Sequence, residues 1–525
     1  MRPLSLLAGL LSLPLIYGVA LAAAPATVNP NPFVVVGVDG MEWSVVDDLS
    51  AKGQLPNISA LRARAATGKL ATDYGANSPI VWTTVATGMN KEVHGITNFD
   101  VATDSGTAPV SSTMRKVPAI WNMVGNYDRK VMMLGWWGSW PAENVNGIIV
   151  TDRAHRAVEN RVSPSAFEPT FTLDLKSINA DRSIYPTDED SGAEDRIMSW
   201  YLTRNAASSF NLILAYLHGT DLVSHKYWKY YRPDGFSSVN AENKAKYADM
   251  IPAKYRAVDA VIGKLVASAP KNTNIFIISD HGFGPLPEEF VKVSLDLDTM
   301  LGYLGFVSRS GTTVDFSKSK VYNYETAGFQ MVKMVRYSLA GREKGGTVTP
   351  EQQPAIRADL TAKLAQVKYE DGSAVFSVRD AKPYEQKKGA DFVIEVLPKG
   401  ASTRVTYNGQ TYTDVVRQLV EHSGGHGWLP PGVILAAGPD IDPKAKLEGI
   451  RIHDITPTVL YGMGLPVAQD FAGKAWTTLY SAAFQKGHPL QTIPTYGTLN
   501  AGAPTENGQT DPEMLEQLRA LGYIQ

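Results

Sequence analysis

The chain has no cysteine. That excludes disulfides, thiolate zinc sites, cysteine nucleophiles and iron–sulfur clusters. It also excludes attachment of a lipid to a lipobox cysteine, and any sulfatase that makes its nucleophile from cysteine. Net charge is almost absent, with 50 Lys and Arg against 52 Asp and Glu, a formal −2. There is no polybasic stretch and no acidic tail, so binding to a nucleic acid duplex is not expected. Any anion specificity has to come from a local site. Beyond the first two dozen residues no apolar run is long enough to span a bilayer. Internal repeats and low-complexity tracts are missing too.

What is present begins with an export pattern. Arg2 gives a short positive start, Leu4 to Leu21 is strongly apolar, and Ala20-Leu21-Ala22 or Ala22-Ala23-Ala24 offers a small-residue cleavage site. A signal peptide over residues 1–24 is expected, in a periplasmic or secreted bacterial protein. Retention of this segment as an anchor is the competing reading. After removal, no stable membrane span is expected.

Short apolar runs then recur: Phe33–Val38, Val131–Gly135, Leu212–Tyr216, Asn274–Ser279 and Val433–Ala437. Five or six residues rich in β-branched side chains fit strands buried on both faces. Helical patterns separate them. Trp43–Ala51 and Ile58–Ala66 form a pair, with Asn57 as the expected N-cap. Ala241–Ala269 reads as a long helix interrupted near Pro252. Alternating strands and helices predict an α/β fold with a mainly parallel central sheet and helices on both faces. Residues 285–425 differ, with turn clusters, strands such as Lys320–Tyr324 and Phe392–Val396, and a helix from Pro354 to Gln366. They read as an inserted α+β cap subdomain. The catalytic domain is then expected over 25–284 and 426–484, with a tail over 485–525 that ends in a helix at Pro512–Leu521.

Seven polar residues stand out within this frame. Asp39 ends the first apolar run, and Asp280 and His281 end the fourth. Asp221 and His225 are spaced one helical turn apart, a spacing that an exposed helix pair would also show. His426 lies among glycines in Ser423-Gly424-Gly425-His426-Gly427, with His422 nearby as a competitor. Carboxylates and imidazoles at strand ends are donors for divalent cations, and ligands in such folds gather at the carboxyl ends of strands. Ser78 precedes Pro79. Proline suits a first helical turn, which places Ser78 at the N-cap as either a plain capping residue or a nucleophile favoured by the helix dipole. The cluster Trp136-Trp137-Gly138-Ser139-Trp140-Pro141 is either core or a pocket wall. His218 is a candidate neighbour of the ligands; His94, His155, His453 and His488 read as structural or surface.

The ordered set Val38-Asp39-Gly40, Leu55-Pro56-Asn57, Ser78-Pro79 with Trp82-Thr83, Thr87-Gly88, His94-Gly95-Ile96, Asp221 with His225, Ser279-Asp280-His281-Gly282 and Gly425-His426-Gly427 resembles the alkaline phosphatase superfamily. The likeness is to its type I phosphodiesterase/nucleotide pyrophosphatase branch. Asp454-Ile455-Thr456-Pro457-Thr458-Val459-Leu460 looks like that family's closing helix. The resemblance implies an alkaline-phosphatase-like fold and two divalent metal ions. Zinc suits the His-rich ligation, and manganese or iron fits the same donors. It implies Asp39, Ser78, Asp280 and His281 on one metal and Asp221, His225 and His426 on the other. It further implies Ser78 as nucleophile, where the branch often has Thr, and Asn98 as donor to a phosphoryl oxygen. Thr83 and Thr84 are the competing hydroxyls. The expected activity is hydrolysis of a small-molecule phosphodiester or nucleotide pyrophosphate through a phospho-serine. The alternatives are a phosphomonoesterase or a phosphotransferase on the same site, and an exported inactive binding relative. Oligomeric state is not legible.

Overall fold

The computed structural model describes residues 28–73, 77–103, 106–187, 192–287, 292–310, 313–327, 332–387, 389–397, 402–420, 422–499, 514–515 and 518. The expected signal peptide, and most of the helix expected over Pro512–Leu521, lie outside these residues. Residues 514, 515 and 518 are helical. No helix among the described residues is long and apolar enough to cross a membrane.

The centre is one eight-stranded sheet. Its strands are β1 (Phe33–Val38), β2 (Ala66–Leu70), β3 (Val131–Leu134), β4 (Gly147–Val150), β5 (Val162–Ser163), β6 (Leu212–Leu217), β7 (Asn274–Ile278) and β8 (Gly432–Ala437). Their spatial order is β2-β8-β7-β1-β6-β3-β4-β5. The five central strands from β7 to β4 are mutually parallel. The outer strands β2, β8 and β5 run antiparallel to their neighbours.

Side-chain parity explains why the central strands read as unbroken apolar runs. Phe33, Val35, Leu212, Leu214, Phe276 and Ile278 enter one core. Val34, Val36, Ile213, Ala215, Ile275 and Ile277 enter another on the opposite face. Successive residues of a strand face opposite ways, so both faces need cover. The first face is covered by α3 (Ser78–Thr87) and a helix over Ile455–Gly462. The second is covered by α1 (Trp43–Ala51), α2 (Pro56–Arg62), α4 (Gly192–Asn205), α5 (Gly219–Tyr231) and α6 (Met250–Ser268). Each such fully buried side chain contributes about 1.5–3 kcal/mol, so the sheet is a stiff platform.

Several local readings need correction. Helix α2 begins at Pro56 with Leu55 as its cap, not at Ile58 with Asn57. The freed first-turn N–H groups are met from α6. Asp259 accepts from the Ile58 N–H at 2.7 Å and from the Asn57 side chain at 2.7 Å. Ala66 belongs to β2, not to α2. The long helical pattern over 241–269 is two helices, Ala241–Tyr247 and α6, with Pro252 in the first turn of α6.

Residues 297–416 hold a separate apolar core that includes Leu301, Phe306, Leu360 and Phe392. It is built on a four-stranded antiparallel sheet in the order Val321–Ala327, Val332–Tyr337, Phe392–Val396, Phe376–Asp380. The chain leaves the main sheet through Gly284–Pro285 and returns through Gly424–Gly425, and these two segments pair with each other.

Candidate metal centre

Three parallel strands end at the same level, because Val38 pairs with Leu217 and Gly37 with Ile278. Asp39 follows β1 directly. Asp280 and His281 follow β7 by two and three residues. Asp221 lies in the first turn of α5 after β6, and His225 one turn later. The returning segment delivers His426 just beyond Gly425. Gly424 has to be glycine, since a Cβ there would stand 2.3 Å from the Ser224 carbonyl oxygen.

These donors converge. Nε2 of His281 is 3.4 Å from Asp39 Oδ1 and 3.4 Å from Asp280 Oδ2. Asp221 Oδ1 is 3.5 Å from His225 Nε2, 3.6 Å from His426 Nε2 and 3.9 Å from His281 Nε2. The Nε2 atoms of His225 and His426 are 3.0 Å apart. Tetrahedral ligation with bonds of 2.0–2.1 Å spaces ligand atoms about 3.3–3.4 Å apart. The observed spacings bracket that value. Two triads of ligand atoms result, Asp39/Asp280/His281 and Asp221/His281/His426, with His281 between them.

Backbone and side-chain neighbours aim the ligand atoms inward. Nδ1 of His281 meets the Gly282 carbonyl at 3.0 Å, and Nδ1 of His225 meets the Gly424 carbonyl at 3.0 Å. With Nδ1–H donating there, each Nε2 lone pair faces the cluster. Asp39 continues the odd parity of β1, so its carboxylate faces α3. Its Oδ2 accepts from Trp82 Nε1 at 3.1 Å and from the Tyr216 hydroxyl. Gly37 makes this possible: a Cβ there would lie 2.5 Å from the Trp82 ring. Oδ1 of Asp280 accepts from the Gly40 N–H at 3.3 Å. That leaves Asp39 Oδ1, Asp280 Oδ2 and His281 Nε2 buried with no hydrogen-bond partner.

Asp39, Asp280 and His281 are fully buried, and Asp221 is 1% exposed. Among the described residues, no Lys or Arg lies within ion-pair distance of Asp39 or Asp280. Burial, and then the carboxylates of Asp39 and Asp221, push the Asp280 carboxyl well above its ordinary range. Buried like charges are costly unless a cation joins them. Two divalent cations would balance three carboxylates and one alkoxide. The residues present therefore fit a two-metal site.

Ser78 opens α3 and is 4% exposed. It is the first helical residue, with Asn77 as the cap, so the expected N-cap position is off by one. Trp82, the partner of Asp39, lies one turn further along α3 on the same face. The amide of Asn77 donates to Asn98 Oδ1 at 3.0 Å, which seats Asn98 beside the start of α3. Asn98 in turn donates to Asp100 at 2.6 Å. The competing hydroxyl of Thr84 meets His94 at 3.1 Å, away from the ligands. Burial and the nearby Arg115 hold His94 down to about 3, so it is a neutral brace. His422 stacks on His225, with ring centroids 4.5 Å apart.

The tryptophan cluster divides. Trp136 is fully buried, crosses Trp82 edge-on at 5.1 Å and donates to its carbonyl at 2.8 Å. Trp137 donates to the Tyr216 oxygen at 2.7 Å and lines a cavity. Tyr216 was not singled out from the sequence, though strand parity places it on the Asp39 face.

A family model described as type I phosphodiesterase / nucleotide pyrophosphatase matches residues 33–429. The chain belongs to that family. It is a hydrolase of phosphoric esters of the phosphodiesterase class. No curated protein matches. Similar solved structures include murine ectonucleotide pyrophosphatase / phosphodiesterase 5, at TM-score 0.46 and 14% identity, with 86% of this chain and 100% of that one covered. An inactive variant of the murine protein in complex with AMP gives 0.45 and 14% with the same coverage. The human protein gives 0.45 and 13%, again covering 86% and 100%.

Proposed function

We propose that this chain hydrolyses phosphodiesters, nucleotide pyrophosphates included, at a two-metal site through a phospho-serine on Ser78. The observation that carries the reading is the convergence of Asp39, Asp221, Asp280 and three imidazoles on one cluster, in which Asp39 Oδ1, Asp280 Oδ2 and His281 Nε2 are buried with no hydrogen-bond partner. Asp39, Ser78, Asp280 and His281 would hold one cation, and Asp221, His225 and His426 the other. When bound, the cations lower the pKa of a coordinated hydroxyl and neutralise phosphoryl charge; zinc suits these donors, with manganese and iron as alternatives.

The chain's own residues do the rest. Ser78 Oγ attacks phosphorus in line with the leaving alkoxide. Pro79 has no N–H, and Ile80 and Val81 donate to the Asn77 carbonyl at 2.9 and 3.0 Å, so the Ser78 N–H, with the Asn98 amide, is what meets the equatorial oxygens. Water then cleaves the phospho-serine. Holding the reacting atoms in line on stiff strand ends accounts for most of the rate. Export through residues 1–24 to a bacterial periplasm or medium is part of the same proposal.

Steady-state rates on the zinc-loaded protein with bis(para-nitrophenyl) phosphate and para-nitrophenyl phosphate test the reading. The diester should react at least about tenfold faster, a difference of about 1.4 kcal/mol in barrier. A faster monoester would replace the diesterase reading by a phosphomonoesterase. Transfer to an added alcohol would replace it by a phosphotransferase.

A further inference from the structure

Trp137 stands three residues beyond β3 and is buried. Its indole N–H donates at 2.7 Å to the hydroxyl oxygen of Tyr216, in β6. An indole nitrogen can only donate, so the Tyr216 oxygen is the acceptor in that bond. The single proton of the hydroxyl is then directed to its other partner, Asp39 Oδ2. The sense of the chain is therefore fixed, from Trp137 through Tyr216 to Asp39. Hydrogen bonds linked in this way polarise and strengthen one another. Packing holds both rings in place. Trp137 meets Phe99 edge-on at 5.5 Å and His218 at 5.6 Å, and Tyr216 meets Trp82 edge-on at 5.0 Å.

Asp39 Oδ2 also accepts from Trp82 Nε1 at 3.1 Å. A carboxylate oxygen has about two lone-pair positions, and both on Oδ2 are taken. Oδ1 is buried with no hydrogen-bond partner, 3.4 Å from His281 Nε2. The carboxylate is thus pinned through one oxygen and offers the other to a cation. Asp280 Oδ1, by contrast, accepts from a backbone N–H, that of Gly40, at 3.3 Å. A side-chain substitution in the chain of donors can therefore loosen Asp39 without removing that bond.

We propose that Trp137 and Tyr216 are positioning residues for the cation held by Asp39. They act as a relay: Trp137 orients the Tyr216 hydroxyl, and that hydroxyl fixes Asp39. The inference rests on the two-metal reading above. It gives Trp137 a part in metal affinity, although its own indole N–H bonds to no metal ligand.

The test measures zinc affinity of the full chain by competition with a chromophoric chelator, with elemental analysis for stoichiometry and thermal melting as the folding control. Phenylalanine keeps an aromatic ring and removes only the donor. Loss of a ligand's hydrogen-bond partner typically weakens binding by about tenfold to a hundredfold. Tyr216→Phe should do so at one of the two sites and leave the other unchanged. Trp137→Phe should weaken the same site by about twofold to tenfold. In the double variant Trp137→Phe should add nothing, because the hydroxyl it orients is gone. Trp121, buried and bonded through its own N–H to Glu143 at 2.9 Å, is the control. Trp121→Phe should cost stability and leave both zinc affinities as in wild type. Wild-type affinities in folded Tyr216→Phe, equal weakening of both sites, or a full additional effect of Trp137→Phe in the double variant would each overturn the relay while two bound ions in wild type kept the metal reading. Wild type that takes up no zinc would remove the metal reading, and the relay with it.

Discussion

Replacing Asp280 by Asn should stabilise the metal-stripped protein and lose most of that gain once the metals are loaded. The ligand oxygens of Asp39 and Asp280 lie within 4.8 Å of each other. Two carboxylates at that distance repel by about 3.5 kcal/mol at an effective dielectric of 20. Once metals are stripped, nothing cancels this, and the folded protein relieves part of it by keeping Asp280 protonated. Its folded carboxyl is raised above the unfolded one. The contribution of Asp280 in the stripped protein is therefore fully present below the unfolded carboxylate range, near about pH 4, and is lost as pH rises towards the raised folded value. Asp280→Asn removes the repulsion and should stabilise the stripped protein by up to about 3 kcal/mol. With 525 residues, an unfolding entropy near 2.1 cal/mol/K per residue converts this to roughly 3 °C in Tm. In the loaded protein, metal at a thousandfold its Kd adds about 4 kcal/mol. A tenfold to hundredfold weaker ion then takes back about 1.4–2.7 kcal/mol of the variant's gain, so in the loaded state its Tm should exceed that of wild type by only about 0–1.5 °C. Calorimetry on chelator-dialysed and zinc-reconstituted samples, wild type and variant, decides. A fall in the stripped state, an undiminished gain in the loaded state, or no change on chelation of wild type, would refute the reasoning.

Two further outcomes are expected at the same centre. Ser78→Ala should retain both metals by elemental analysis and lose turnover by at least about a thousandfold; near-normal rates would move the nucleophile elsewhere. His426→Gln should lose one of two metals, because His426 Nε2 faces Asp221 and His225 at 3.6 and 3.0 Å. Unchanged stoichiometry in that variant would shift the assignment to His422.

Much of the frame was legible because burial on both faces leaves a plain mark. Phe33–Val38 and Asn274–Ile278 are apolar at every position but Gly37 and Asn274, and no amphipathic helix reads that way. The acids after them were conspicuous for the same reason. Less legible were elements whose role depends on a neighbour. Strand β2, Ala-Thr-Gly-Lys-Leu, is an edge strand with little apolar content, and it continued the helical pattern before it. The antiparallel direction of β8 leaves no local trace, since Val433–Ala437 reads the same either way. Ser-Pro marked a helix start, but the backbone began the helix one residue early, at Ser78 itself. Tyr216 and Trp82 carried no signal as partners of Asp39. One is a strand residue and the other a helix residue, and only packing α3 on the sheet brings them to the same oxygen.

The crossing of Gly284–Pro285 with Gly424–Gly425 has an evolutionary consequence. An insertion whose two stems touch imposes no span on its host. The 136 residues between Leu286 and Ser423 can lengthen, shrink or be exchanged without moving His281 or His426, because the Leu286 N–H to Ser423 carbonyl bond, at 2.9 Å, closes the stem. Relatives would then diverge in this module far faster than around the metal ligands, and substrate preference could be retuned there by grafting while the reaction chemistry stayed the same.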